Sequence, residues 1–195
     1  MDLTHISALA LFAFVTTFTP GPNNIMLMTS GANVGFTRSL PHMLGVTLGF
    51  ALMVLLVGIG LTGVFIRYPM VHSALNTLSL LYLVYLAYKI ATSQPANSNA
   101  DYQPMSFFSA VLFQWVNPKG WTMALTAVSV YNPSSSWVSL MIISLVFLLA
   151  NFPSASVWVI AGQRLQNFLT TPKRVRSFNY FMAVLLLAST LPMIQ

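Results

Sequence analysis

Lys119 lies in the middle of an apolar run extending from about residue 105 to 130, in a chain whose only acids are Asp2 and Asp101. Neither acid is placed to reach it. The lysine is therefore either neutral or balanced by a charge from outside the chain, and a primary amine so placed suits binding a carboxylate or exchanging a proton. It belongs to the string Gln114-Trp115-Val116-Asn117-Pro118-Lys119-Gly120-Trp121, in which Asn is a preferred helix N-cap and Pro is favoured at the first helical position. A second polar interruption, Thr19-Pro20-Gly21-Pro22-Asn23-Asn24, divides another apolar run at about 4 to 31. Its prolines remove backbone donors and leave carbonyls without partners. The following IMLMTS can resume a helix, with Thr19, Asn23 or Asn24 as its expected cap.

The elements that must hold these residues are membrane helices. The 195 residues are 56% hydrophobic and 5% charged, with mean hydropathy +0.76, whereas a soluble domain carries roughly a quarter charged residues. Apolar runs fall at about 4–31, 40–66, 70–92, 105–130, 136–162 and 174–194, each near the length needed to cross a bilayer. Six spans put both termini on one side, together with Arg67. Arg38, Lys89, Arg164, Lys173, Arg174 and Arg176 fall on the other. The positive-inside rule makes the six-cation side cytoplasmic and both termini periplasmic. The pI near 10 thus reports orientation, and no nucleic acid is expected as a partner.

The segment Ser93–Pro104 is polar and rich in Asn, Ser and Pro, the signature of a linker. It separates halves at about 1–93 and 105–195, joined by a cytoplasmic linker at 94–104. Pro20 and Pro118 interrupt the first and fourth spans 98 residues apart, and the other spans repeat at a similar offset. Three spans per half make the repeats inverted in the membrane. The expected architecture is an all-α integral membrane protein, one transporter domain over 1–195, with six transmembrane helices in two inverted three-helix repeats whose first and fourth helices break at the midplane.

A non-helical segment survives at membrane depth only where protein covers it or a cavity adjoins it. One proline alone reads as a kink; two multi-residue breaks at matching positions, one with an unpaired lysine, read as a site. Inversion aims the two half-helix N-termini at each other, an arrangement suited to a carboxylate. The expected substrate site comprises Thr19, Pro20, Gly21, Pro22, Asn23, Asn24, Asn117, Pro118 and Lys119, with Lys119 binding the carboxylate and coupling to protons. The substrate ammonium is left to the broken-helix carbonyls or the amides of Asn23, Asn24 and Asn117.

Elsewhere, Gly45 and Gly49 have the G-x-x-x-G spacing of closely packed helices, within a monomer or a dimer. Tyr82 and Tyr85 could line a cavity, and Tyr88 beside Lys89 reads as an interfacial anchor. Asn151 and Pro153 fall mid-span, where packing is the favoured role. His42 follows Pro41 at the cytoplasmic start of the second span and could titrate near neutrality; with His5 and His72 near the outer side, no histidine cluster forms a metal site. Cysteine is absent, which excludes disulfides and thiolate metal sites. The N-terminus lacks the basic region of a cleaved signal peptide, so the first helix is expected to be retained.

TPGPNN in the first span, the central NPK and the 3+3 layout together resemble the LysE/RhtB family of bacterial amino-acid exporters, along essentially the whole chain. Within it, TPGPNNIMLMTS and LAYKIATSQP are most similar to the cysteine and O-acetylserine exporter branch. The resemblance implies export of a small amino acid or derivative from the cytoplasm, driven by protons, without a cofactor, by a homodimer in the lipid bilayer. It assigns functional positions to Pro20, Gly21, Pro22, Asn23, Asn117, Pro118 and Lys119. The family commonly carries an acid near the first break and this chain has none, which favours a neutral over a dibasic substrate. Export of a threonine, homoserine or lysine type of amino acid is the alternative in the same class. A small membrane enzyme using Lys119 as nucleophile or base is the alternative in another.

Overall fold

The computed structural model describes residues 2–61, 67, 69–93, 102–133 and 135–189. Helix α1 (Leu3–Phe18) starts at Asp2, whose carboxylate accepts the His5 amide at 2.8 Å. Hydrogen bonds from the His5 backbone and ring hold that carboxyl below its usual range. The helix ends at Thr19, which is extended (φ −64, ψ 143), as steric conflict with a following proline demands.

Helix α2 (Pro22–Leu56) begins with Pro22 behind an extended Gly21. Gly21 is the N-cap, in place of the expected Thr19, Asn23 or Asn24. With proline at the first helical position, Asn23 and Asn24 fall inside the first turn, which frees their side chains for other partners.

Gly35 divides α2, with φ 78 and ψ −178, a backbone state that glycine reaches without a Cβ clash. Before it, Met28 and Gly31 lie against Gly162 and Val159. After it, the Phe36 amide donates to Gln163 Oε1 at 3.2 Å, Ser144 Oγ donates to Ala51 O at 3.0 Å, and Gly58 lies against Leu140. The chain therefore reverses at Gly35, and α2 is a hairpin rather than one rod. Its second arm starts earlier than the expected residue 40, because one glycine makes the turn without a loop.

A π-helical turn (Val57–Leu61) closes this arm. Helices α3 (Pro69–Thr92), α4 (Phe107–Phe113), α5 (Pro118–Tyr131), α6 (Trp137–Leu165) and α7 (Pro172–Ala188) follow, with one 3-10 turn (Gln114–Val116) between α4 and α5. Ser106, Ser136 and Thr171 cap α4, α6 and α7 through their hydroxyls. Residues 62–66 of the second run, 94–101 of the linker including Asp101, Ser134, residues 190–194 of the last run, and the His72 side chain lie outside the described residues.

Helix α2 is the central element, in contact with α4, α5, α6 and α7; α6 packs along both of its arms and also meets α1 and α5, while α3 and α7 pair at one flank. Glycines set the closest approaches: a Cβ on Gly31 would meet the Val159 carbonyl, and one on Gly162 the Met28 carbonyl. Between lipid-solvated helices such contact supplies the packing that hydrophobic burial supplies in water. Gly45 and Gly49 do this within the monomer, with Ala110 Cβ and Val111 Cα of α4 at 2.7 and 2.8 Å from their would-be Cβ positions.

Polarity is inverted relative to a soluble protein. Leu44, Leu48 and Leu52 form an exposed stripe on α2, as do Met141, Leu145 and Leu149 on α6, while Asn24, His42, Gln114, Asn117, Asn151, Ser154 and Asn179 are buried. An apolar exterior around a hydrogen-bonding interior suits lipid as solvent. Two segments among the described residues are long and apolar enough to cross a membrane, Pro22–Gly60 and Trp137–Leu165; the first is the hairpin.

Candidate functional site

The two breaks meet at the centre. From Gly21, the first arm of α2 runs toward the end that carries Gln163 and Arg164; from Asn117, α5 runs the other way, toward Tyr131, whose ring lies 6.1 Å from that of Phe12 in α1. Asn23 Nδ2 donates to Gln114 Oε1 at 2.8 Å and Gln114 Nε2 returns a bond to Asn23 Oδ1 at 3.3 Å. This reciprocal amide pair ties the breaks together, and Gln114 also donates to Ala110 O at 2.8 Å. By helix geometry the amides of Asn23, Asn24, Lys119 and Gly120 have no intrahelical acceptor.

The carbonyls freed where α1 ends are met by side-chain donors. Asn24 Nδ2 bonds Thr17 O at 2.7 Å and Thr19 O at 2.8 Å, and Ser154 Oγ bonds Thr17 O at 2.8 Å. Lys119 arrives from the other break: its Nζ donates to Thr19 O and Thr19 Oγ1, both at 2.8 Å, and to Pro20 O at 3.3 Å. Its stem crosses Gly21, where a Cβ would stand 2.7 Å from Lys119 Cδ. The ammonium thus rests on neutral oxygens, and Asp2 caps α1 at the far end of that helix.

Asn117 is the N-cap of α5 but makes no side-chain capping bond. It is 2% exposed, and its Oδ1 is buried without a hydrogen-bond partner among the described residues. A cavity of about 30 Å³ adjoins it, bordered by Asn23, Asn24, Phe50, Lys119, Met123 and Asn151 among others. That volume holds a water or two; an amino acid needs more.

The structure brings seven of the nine expected residues to this junction by contact, Thr19, Pro20, Gly21, Asn23, Asn24, Asn117 and Lys119, while Pro118 sets the start of α5. Pro22 sets the start of α2. Gln114, Ser154 and Asn151 are further members not assigned from sequence. Gln114 is completely buried, and its position within the second interrupted string was the available signal. Nothing in the local sequence points Ser154 at Thr17.

Tyr82 and Tyr85 border a larger cavity of about 770 Å³ with Lys89, Tyr102, Ser106 and Ser109, while Tyr88 is exposed. His42 is completely buried, with Nδ1 3.0 Å from Ser30 Oγ. Ser30 Oγ is also 3.1 Å from the Tyr102 hydroxyl, and burial pushes that hydroxyl up to about 12. Among the described residues no group of three His, Asp or Glu side chains could hold a metal ion.

The sequence pattern of LysE type translocators matches residues 14–192, which includes both breaks and all seven helices in whole or part. The chain belongs to the LysE type translocator family. Members of this family are membrane translocators, not enzymes, which removes the enzymatic reading of Lys119. The chain is 32% identical over 192 residues to a cysteine/O-acetylserine efflux protein of Escherichia coli O139:H28 (strain E24377A / ETEC), covering 96% of each chain. It is also 32% identical over 191 residues to the proteins of that name from Escherichia coli (strain K12) and Shigella sonnei (strain Ss046), covering 95% of each. No solved structure matches it. As a LysE type translocator the chain carries amino acids outward, and its breaks lie within the part that defines the family.

Proposed function

We propose that this translocator exports a small neutral amino acid or derivative, of the cysteine or O-acetylserine kind, across the bacterial inner membrane in exchange for protons. The substrate site is the junction of the two breaks, with Lys119 as carboxylate ligand and proton-coupling group. The observation that carries this reading is the Lys119 ammonium held by break carbonyls a hundred residues away, beside a buried Asn117 acceptor without a partner. The names of the relatives support the substrate class.

In this reading the chain is one transporter domain of six spans in two inverted repeats. The first span is α1 with the first arm of α2, and the fourth is α4 with α5. The opposed directions of the two half-helices support the inversion. Arg38, Lys89, Arg164, Lys173, Arg174 and Arg176 mark the cytoplasmic end, and both termini are periplasmic. A site of amides, hydroxyls and carbonyls favours one ammonium per substrate, so lysine is the natural counter-example.

The test is uptake of labelled cysteine, O-acetylserine, threonine and lysine into inside-out vesicles under an imposed pH gradient. Gradient-dependent uptake of cysteine or O-acetylserine, lost in Lys119→Met, is the expected outcome. Uptake of none would sink the substrate class. Gradient-driven uptake surviving Lys119→Met would move carboxylate binding and proton coupling to another group.

A further inference from the structure

We propose that Thr19 O, Thr19 Oγ1 and Pro20 O form the subsite for the substrate's own ammonium, and that Lys119 is a tethered occupant that must leave before an amino acid binds. This rests on the reading of the breaks as the substrate site. A primary ammonium carries three donors and no acceptor, and here all three directions are used, at 2.8, 2.8 and 3.3 Å. The substrate's ammonium has the same donor set. Among the described residues it also has no carboxylate to meet at this junction, so oxygens already holding an ammonium are its matching partner. The unpartnered Asn117 Oδ1 on the adjoining cavity offers a further acceptor.

The exchange has a driving force. The bonds from Lys119 to the break carbonyls have one charged partner, whereas a bond to a carboxylate adds the attraction of a full opposite charge. A substrate carboxylate therefore gives Lys119 a better partner than the carbonyls it leaves, while the incoming ammonium takes those carbonyls over. Once Lys119 has withdrawn, each break keeps its hydrogen bonds only when a molecule with both groups is present. An amine without a carboxylate meets an occupied subsite with nothing to draw Lys119 away. The glycine at position 21 fits this motion, since the lysine stem slides over a backbone with no side chain. The cavity of about 30 Å³ beside the stem enlarges as the lysine withdraws.

Two measurements test the exchange. In wild-type inside-out vesicles, unlabelled cysteamine, which has the amine and thiol of cysteine without its carboxylate, is added in excess to labelled cysteine. Uptake is expected to be unaffected, whereas unlabelled cysteine abolishes it; competition by cysteamine equal to that by cysteine would overturn the proposal while leaving export intact. Absence of cysteine uptake altogether would instead strike at the proposed substrate.

The second measurement needs no transport. Purified wild type and Lys119→Ala are titrated with ethylammonium chloride, and tetramethylammonium chloride serves as the control without N–H donors. A short tether presents its group at an effective concentration of order millimolar or more. Emptying the subsite should therefore tighten ethylammonium binding by at least about tenfold, seen as a saturable rise in melting temperature of the variant only. Equal shifts in both proteins, or none in a monodisperse variant of wild-type helicity, would overturn the proposal. If Lys119→Ala does not fold, the same titration is made on Lys119→Met, with the same two outcomes.

Discussion

The two breaks share a sequence pattern, a polar or glycine cap followed by proline, yet the structure completes them in opposite ways. At the first, α1 ends and its free carbonyls collect donors from three other segments: Asn24, Ser154 and Lys119. At the second, a 3-10 turn pairs the Asn117 amide with Gln114 O at 3.3 Å, the Trp121 indole donates to Trp115 O at 2.9 Å, and an acceptor, Asn117 Oδ1, is left over. The first break consumes donors; the second exports one as Lys119 and keeps an acceptor in reserve. A helix interrupted in lipid can thus be satisfied by its neighbours or by itself, and the surplus of one supplies the other.

Lys119→Met tests this exchange of donors most severely. It strips Pro20 O of the donor seen here and should reduce vesicle uptake to background; retained uptake would mean the lysine is a structural cap alone. Gly21→Ala comes next. Its backbone is extended, so the fold tolerates the Cβ, but the lysine stem must move, and a displacement on the ångström scale should lower uptake by about tenfold or more. Unchanged uptake would show that the stem's path is immaterial.

Asn24→Leu keeps the volume and removes a donor shared by two carbonyls. Each retains another donor, so the loss should be about 1–3 kcal/mol, measured by reversible unfolding in detergent. Ser154→Ala removes one of the two donors on Thr17 O and should cost about 1 kcal/mol. Asn117→Leu inverts the comparison. Deleting a buried acceptor that has no partner should leave stability within about 1 kcal/mol or raise it, while uptake falls because the substrate loses an acceptor. A large loss of stability in Asn117→Leu would show that the second break depends on that side chain as the first depends on Asn24.

Much of this was legible in sequence because the constraint is severe. Prolines and a lysine inside apolar runs can be accommodated in lipid in few ways, so the string from Thr19 to Asn24 and the triplet Asn117, Pro118, Lys119 identified the junction. The cap was misplaced because three good capping side chains flanked Gly21, and local preference for them was outweighed by the use of Asn24 on the carbonyls of α1. His42 read as a group at the cytoplasmic start of the second span that could titrate near neutrality. The hairpin at Gly35 instead lays its helix against the other arm, and the ring is buried beside Ser30.

What the sequence determined by itself is therefore the solvent, the number and polarity of the runs, the positions of the interruptions, and the family. All of these are properties of single segments or of composition. The tertiary structure decided which groups satisfy which: Ser154 with Thr17, Gln114 with Asn23, Lys119 with Thr19 and Pro20. Those pairs are separated by about ninety to a hundred and forty residues. They exist because the reversal at Gly35 and the glycine contacts along α6 bring separate helices within hydrogen-bonding reach, which no local pattern encodes.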